Sequence, residues 1–203
     1  MNRLLHGMKP LPHYLNTTAL IISVLAVVFF FVPASTFDAE QLLALNSLYI
    51  FEQPWRIFTT HLLHINEMHL LFNLLGLWLL VILFREKIPG RTLLNVVLIS
   101  ALFATLSSVY IGNDASFIGL SGVLHGIFAY GAIQMLHSER RFAFLLIVAL
   151  VAKLVWDMLN AGENVAWLDH STVAYWCHLG GALGGVIAVP ALKKKPKEIL
   201  NKK

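Results

Sequence analysis

Six stretches of the chain are apolar enough and long enough to cross a bilayer, which takes about 20 residues. They run approximately over 16–33, 67–84, 92–111, 117–136, 142–160 and 173–190. Each predicts a helix, because a backbone in lipid must satisfy its own hydrogen bonds. Polar or turn-forming residues separate them: Asn66-Glu67 precedes the second and Gly112-Asn113-Asp114 ends the third. The fifth carries Lys153 and Asp157 within it, and without it the two termini would lie on opposite sides. The segment 34–66 is the one long connection. Its Phe37, Leu42, Leu48, Tyr49 and Phe51 predict packing into the membrane interface. Pro33-Ala34-Ser35 stands where a leader could be cut. The apolar stretch before it exceeds the about 7–15 residues of a signal core, so it is expected to remain as a span.

Composition narrows the class. Of 203 residues, 58% are hydrophobic and 13% charged, against about a quarter charged in soluble domains. A soluble chain of this length could not bury so much apolar surface in its own core, which excludes a soluble enzyme, a disordered chain and a coiled coil. A single cysteine excludes a disulfide framework and a multi-cysteine metal site. There is no internal repeat, low-complexity tract or second soluble domain, so 1–203 reads as one all-α, polytopic membrane domain.

The net charge of +4 would suit nucleic acid, but its distribution gives a different reading. Arg3, Lys9, Arg85, Lys87, Arg91, Arg140, Arg141 and the lysines of the 191–203 tail fall on one side of the six spans. The other side has Arg56 among Asp38, Glu40, Glu52, Glu67, Asp114, Glu163 and Asp169. This segregation predicts both termini in the cytoplasm and an even number of spans, with no nucleic-acid partner.

Polar residues inside spans are costly and by default mark a function or a partner. Here they are His69 and Asn73 in span two, Ser121 and His125 in span four, Lys153 and Asp157 in span five, and His178 in span six. Ser121 lies in Gly119-Leu120-Ser121-Gly122, about one turn into its span. A serine in a membrane helix is commonly bonded back to the preceding turn. Gly119, Gly122 and Gly126 also permit close approach of another helix, and free N–H groups there could face an oxyanion. His178 precedes two glycine pairs, Gly180/Gly184 and Gly181/Gly185, which give span six a face without bulk. That face predicts contact with span four. Ser121 and His178 would then share a depth of roughly 6–8 Å below the outer boundary, at about 1.5 Å per residue. A serine nucleophile needs a base within hydrogen-bond reach. No acidic residue is clearly placed as a third member, so the pair reads as a Ser–His dyad. His69 and Asn73, four apart on one face, offer neutral donors for an oxyanion, or simply interhelical hydrogen bonds.

Together, Gly119-Leu120-Ser121-Gly122, His69-x-x-x-Asn73, His178 with its paired glycines, and Trp55-Arg56 followed by His64 resemble the rhomboid intramembrane serine proteases. The resemblance covers residues 16–190 in order. It implies a six-helix bundle with Ser121 as nucleophile and His178 as general base. It implies an oxyanion hole of His69, Asn73 and the Ser121 N–H, and places Arg56 in an outer loop partly within the membrane. Position 125 departs from it. Many rhomboids carry a tyrosine there that packs on the catalytic histidine. His125 could keep that stacking or could titrate. The run Gly119-Leu120-Ser121-Gly122-Val123-Leu124-His125-Gly126 is similar to the rhombosortase branch, as are His61/His64 before Asn66 and Lys153 in span five. That branch implies membrane-anchored substrates with a C-terminal Gly-Gly, apolar helix and basic tail, and a bacterial inner membrane. A general rhomboid protease is the alternative, and a non-catalytic rhomboid-like protein or a transporter stands beyond it.

Other readings compete at single positions. His61, His64 and His69 could ligate zinc with Glu67 or Asp114, but the break at Asn66-Glu67 argues against convergence. His64 is expected to brace the outer loop by hydrogen bonds, and neither a metal nor a cofactor is expected. Lys153 and Asp157, at i and i+4, read as a pair that neutralises itself, or as a contact for the substrate tail. Cys177 points about 100° away from His178 on a helix and reads as packing.

Overall fold

The computed structural model describes residues 16–32, 37–161, 163–169 and 171–192. Arg3, Lys9, Pro33-Ala34-Ser35 and the basic tail from Lys193 onward lie outside the described residues. The fold is all-α apart from one two-residue ladder. In chain order it holds α1 (Thr17–Phe31), the short α2 (Ala39–Leu43) and α3 (Arg56–Thr59), α4 (Glu67–Leu83), α5 (Gly90–Tyr110), α6 (Ser121–Met135), α7 (Arg140–Leu159) and α8 (Tyr175–Ala191). Each of the six apolar stretches therefore holds one helix. The long connection is not plain loop, since α2, α3 and two 3₁₀ turns lie within it.

Helix ends follow local chemistry. Asn16 caps α1 by accepting from the Thr18 and Ala19 N–H groups, and Asn66 caps α4 by accepting from the His69 N–H. Such caps satisfy donors that the first turn leaves free. α5 and α7 are each long and apolar enough to cross a membrane. The 56–62 segment with α4 forms a third candidate, bent by 101° at the break between them. α1, α6 and α8 hold 15, 15 and 17 residues, about 22–26 Å at 1.5 Å per residue, against a hydrocarbon core of about 30 Å. The exposed Leu75, Leu79, Val148, Val151 and Leu183 form an apolar outer surface suited to lipid. The chain is an integral membrane protein.

The centre is built on α8, which wedges between α5 and α6. A Cβ on Gly181 or Gly185 would overlap the carbonyls of Gly122 and Gly126 on α6. A Cβ on Gly180 or Gly184 would run into Phe103 and Ser100 on α5. The two glycine pairs thus serve two neighbours, where the sequence predicts one bare face toward span four alone. α7 is the loosest member: only Ala143 and Asp157 of its twenty residues are buried. Between α7 and α8 a small hairpin pairs Asn164–Val165 with Ser171–Thr172.

Candidate active site

Ser121 is the first residue of α6, not one turn into it as the apolar run predicts. The preceding segment is held in a non-helical path from a distance in sequence. The Thr60 carbonyl accepts from the Gly119 N–H at 3.1 Å, and the Thr60 hydroxyl bonds the Phe117 carbonyl. His61 reaches the Gly119 carbonyl at 3.1 Å through Nδ1 and Thr105 Oγ1 at 3.2 Å through Nε2. Gly119 takes φ +128°, where a side chain is strained, and a Cβ there would stand 2.6 Å from the His69 ring. The first backbone bond of α6 runs from the Leu124 N–H to the Leu120 carbonyl. The Ser121 N–H therefore lies ahead of the helical ladder, as a helix start requires.

The wedge of α8 then sets the key distance. His178, in the first turn of α8, puts Nε2 2.8 Å from Ser121 Oγ. Its Nδ1 lies 2.8 Å from Asp157 Oδ2 on α7. Lys153, one turn earlier on α7, donates to the other carboxylate oxygen, Oδ1. These bonds fix a tautomer. An ionised carboxylate only accepts, so Nδ1 of His178 carries the proton and Nε2 offers its lone pair to the Ser121 hydroxyl. His125 donates from Nδ1 to the Ser121 carbonyl at 2.7 Å. Its ring stacks on His178, with centroids 4.2 Å apart and planes at 18°.

His69 and Asn73 are both buried on the inner face of α4. The Ile65 N–H donates to His69 Nδ1 at 3.4 Å, which leaves the ring proton on Nε2. That edge faces Gly119: a Cβ there would lie 2.7 Å from His69 Nε2 and 3.9 Å from Asn73 Nδ2. His69, Asn73 and Ser121 line the same cavity, of about 1000 Å³, walled in part also by His125, Lys153 and His178.

The remaining sequence candidates separate. Arg56 is buried and donates to the carbonyls of Gln41 and Ala44 and to the Gln53 side chain, tying the outer loop together. His64 is buried and its ring packs edge-on against His69 at 5.0 Å. Arg56, Thr60 and His61 brace the loop segments by hydrogen bonds. Gly122 and Cys177 meet between α6 and α8, as a packing role for Cys177 requires. His61 spends both nitrogens on protein oxygens. Among the described residues, the one group with convergent ligand atoms is His125, Asp157 and His178. A metal there would have to displace the bonds just described.

Two expectations need correction. His178 is not left without an acid, because Asp157 bonds it. Lys153 and Asp157 do pair, but the pair is not closed on itself. The sequence does not mark Asp157 as a partner of His178, because a lysine one turn away already accounts for its charge.

A hydroxyl, an imidazole and a carboxylate are hydrogen-bonded in line, here within a helical membrane protein. The Rhomboid domain family model matches residues 52–195, well over half of the 203-residue chain. The chain belongs to the rhomboid family, whose members are intramembrane serine proteases.

Proposed function

We propose that this rhomboid-family chain is a serine endopeptidase in which Ser121 is the nucleophile and His178 the general base. The observation that carries the reading is the 2.8 Å approach of Ser121 Oγ to the unprotonated Nε2 of His178. Ser121 Oγ attacks the scissile carbonyl and its proton passes to His178 Nε2. The negative oxygen is held by His69 Nε2–H, Asn73 Nδ2–H and the Ser121 N–H. Collapse breaks the C–N bond, and His178 returns the proton to the leaving amine. Water then attacks the acyl-enzyme, giving its proton to His178. A second collapse frees the carboxyl product and restores the Ser121 hydroxyl. A helical substrate must unwind before its carbonyl is free, so glycine near the cut favours reaction.

Within that chemistry, the substrate reading is a C-terminal tail of Gly-Gly, apolar helix and basic cluster on an exported protein. It rests on the resemblance of the 119–126 run, His61/His64 and Lys153 to the rhombosortase branch. The location that goes with it is the bacterial inner membrane, with six spans and both termini inside. Two reporters test this. One ends in Gly-Gly, an apolar helix and a basic tail; the other carries a generic transmembrane segment with small residues at its outer end. Wild type, Ser121→Ala and His178→Ala are compared by product size. Cleavage of the first reporter alone, lost in both variants, is expected. Cleavage of both would leave a general rhomboid protease. Full proteolysis by purified, folded Ser121→Ala would overturn the mechanism.

A further inference from the structure

We infer that Asp157, locked by Lys153, is a positioning residue that turns the Ser121–His178 pair into a three-helix Ser–His–Asp line. The inference rests on the serine-protease reading above. The simpler account is a self-neutralised i, i+4 pair on a lipid-facing helix, and three observations favour the line.

The first is burial. If mutual neutralisation were the whole purpose, the carboxylate would lie outward with its lysine. Instead the Asp157 side chain is 4% exposed while that of Lys153 is 51% exposed. Asp157 and Ala143 are the two buried residues of α7, so this helix turns its one acid inward. The second is the division of the carboxylate. Oδ2 accepts from His178 Nδ1 at 2.8 Å, and Oδ1 accepts from Lys153. Each oxygen has its own donor, so the carboxylate cannot swivel without breaking one bond. The third is the tautomer. A neutral histidine carries one proton, and the Nδ1 bond to a carboxylate holds it there, leaving Nε2 to accept from Ser121. His125, stacked on the face of the His178 ring, restrains the ring plane, while Asp157 restrains rotation within that plane.

An amide in place of the carboxylate reverses this logic. In Asp157→Asn the new side chain can present N–H to Nδ1, which drives the ring proton to Nε2, where it faces Ser121 as a donor. In serine proteases with a buried aspartate, that change lowers kcat by about 10⁴ while geometry is kept. As a positioning partner Lys153 acts through Asp157, so that part of its effect should be present only while the aspartate is there.

The experiment uses purified full-length wild type, Asp157→Asn, Asp157→Ala, Lys153→Met and the Asp157→Asn/Lys153→Met double variant in proteoliposomes. Readouts are kcat and KM on the cleaved reporter, the rate of Ser121 labelling by a fluorophosphonate, and Tm. Asp157→Asn is expected to keep KM within about twofold and to lose about 10²–10⁴ in kcat and labelling rate. Asp157→Ala should regain labelling when formate is added. Lys153→Met should lose about 3–10-fold, and the double variant should match Asp157→Asn alone. Near-wild-type kcat in Asp157→Asn would overturn the inference. So would a loss in every Asp157 variant that follows Tm and that formate does not relieve. Labelling of wild type that Ser121→Ala abolishes keeps the protease reading standing in either case. If wild-type Ser121 is unreactive, that reading fails and the inference falls with it.

Discussion

Two single residues near Ser121 are set by geometry that a substitution can test. Gly119 holds φ +128° with the His69 ring where its Cβ would be. Gly119→Ala is therefore expected to cost about 1–3 kcal/mol of stability. It should also push His69 from the site, lowering kcat by about 10²–10³, the loss typical of one oxyanion donor. Thermal denaturation and steady-state turnover read the two effects separately, and unchanged turnover would remove His69 from the oxyanion hole. His125 has two attachments, its stack on His178 and its bond to the Ser121 carbonyl. An aromatic ring at 125 can keep the first without the second. His125→Tyr is accordingly expected to stay within about tenfold of wild type, and His125→Ala to fall well below it. Equal kcat in the two variants would show that the stack contributes nothing.

At the scale of elements, α8 decides whether the site exists. A Cβ on Gly181 would overlap the Gly122 carbonyl, one turn beyond His178. Alanine has the better helix propensity by about 1 kcal/mol, so an isolated helix would gain from Gly181→Ala. Here the forced separation of α8 from α6 should reverse the sign and destabilise by about 1–3 kcal/mol. Because the same separation moves His178 from Ser121, activity should fall further than Tm implies. Gly90→Ala is the control: its nearest neighbour would be Asn16 Oδ1 at 3.9 Å. Its effect is expected within about 0.5 kcal/mol, and a larger one would mean that glycine spacing and not contact governs these helices. The helices themselves are legible in the sequence because apolar runs of 15 to 21 residues dominate every local preference. The start of α6 is not. It depends on Thr60 and His61 gripping the 117–119 segment, contacts separated by more than fifty positions that leave no periodic trace. Ser121 and His178 can be paired from sequence because the glycine repeats announce a close helix contact. Asp157 cannot, because the rotation of α7 about its axis is not written in its lysine spacing.

For the whole molecule the open quantity is how the helices thread the membrane, and α7 is where it can be measured. If the chain spans six times, its basic residues cluster on one side, and that arrangement predicts the α6–α7 turn inside and the α7–α8 hairpin outside. α7 is apolar and 20 residues long, enough to span at about 1.5 Å per residue. Yet it carries the Lys153–Asp157 pair, and only Ala143 and Asp157 of its residues are buried. The chain's one cysteine, Cys177, is buried at 1% exposure, so introduced cysteines report almost alone. Ser138 and Glu163 flank α7 and are exposed. Ser138→Cys and Glu163→Cys, each treated in intact cells with a membrane-impermeant maleimide, should differ. The variant at 163 should label at once, and the variant at 138 only after permeabilisation. Labelling of both from outside would mean that α7 does not cross and that the even span count is wrong. The expected split would put Lys153 and Asp157 inside the bilayer. There an unpaired charge is costly, so the bonds to His178 and Lys153 that organise the site also let α7 carry its charges through lipid.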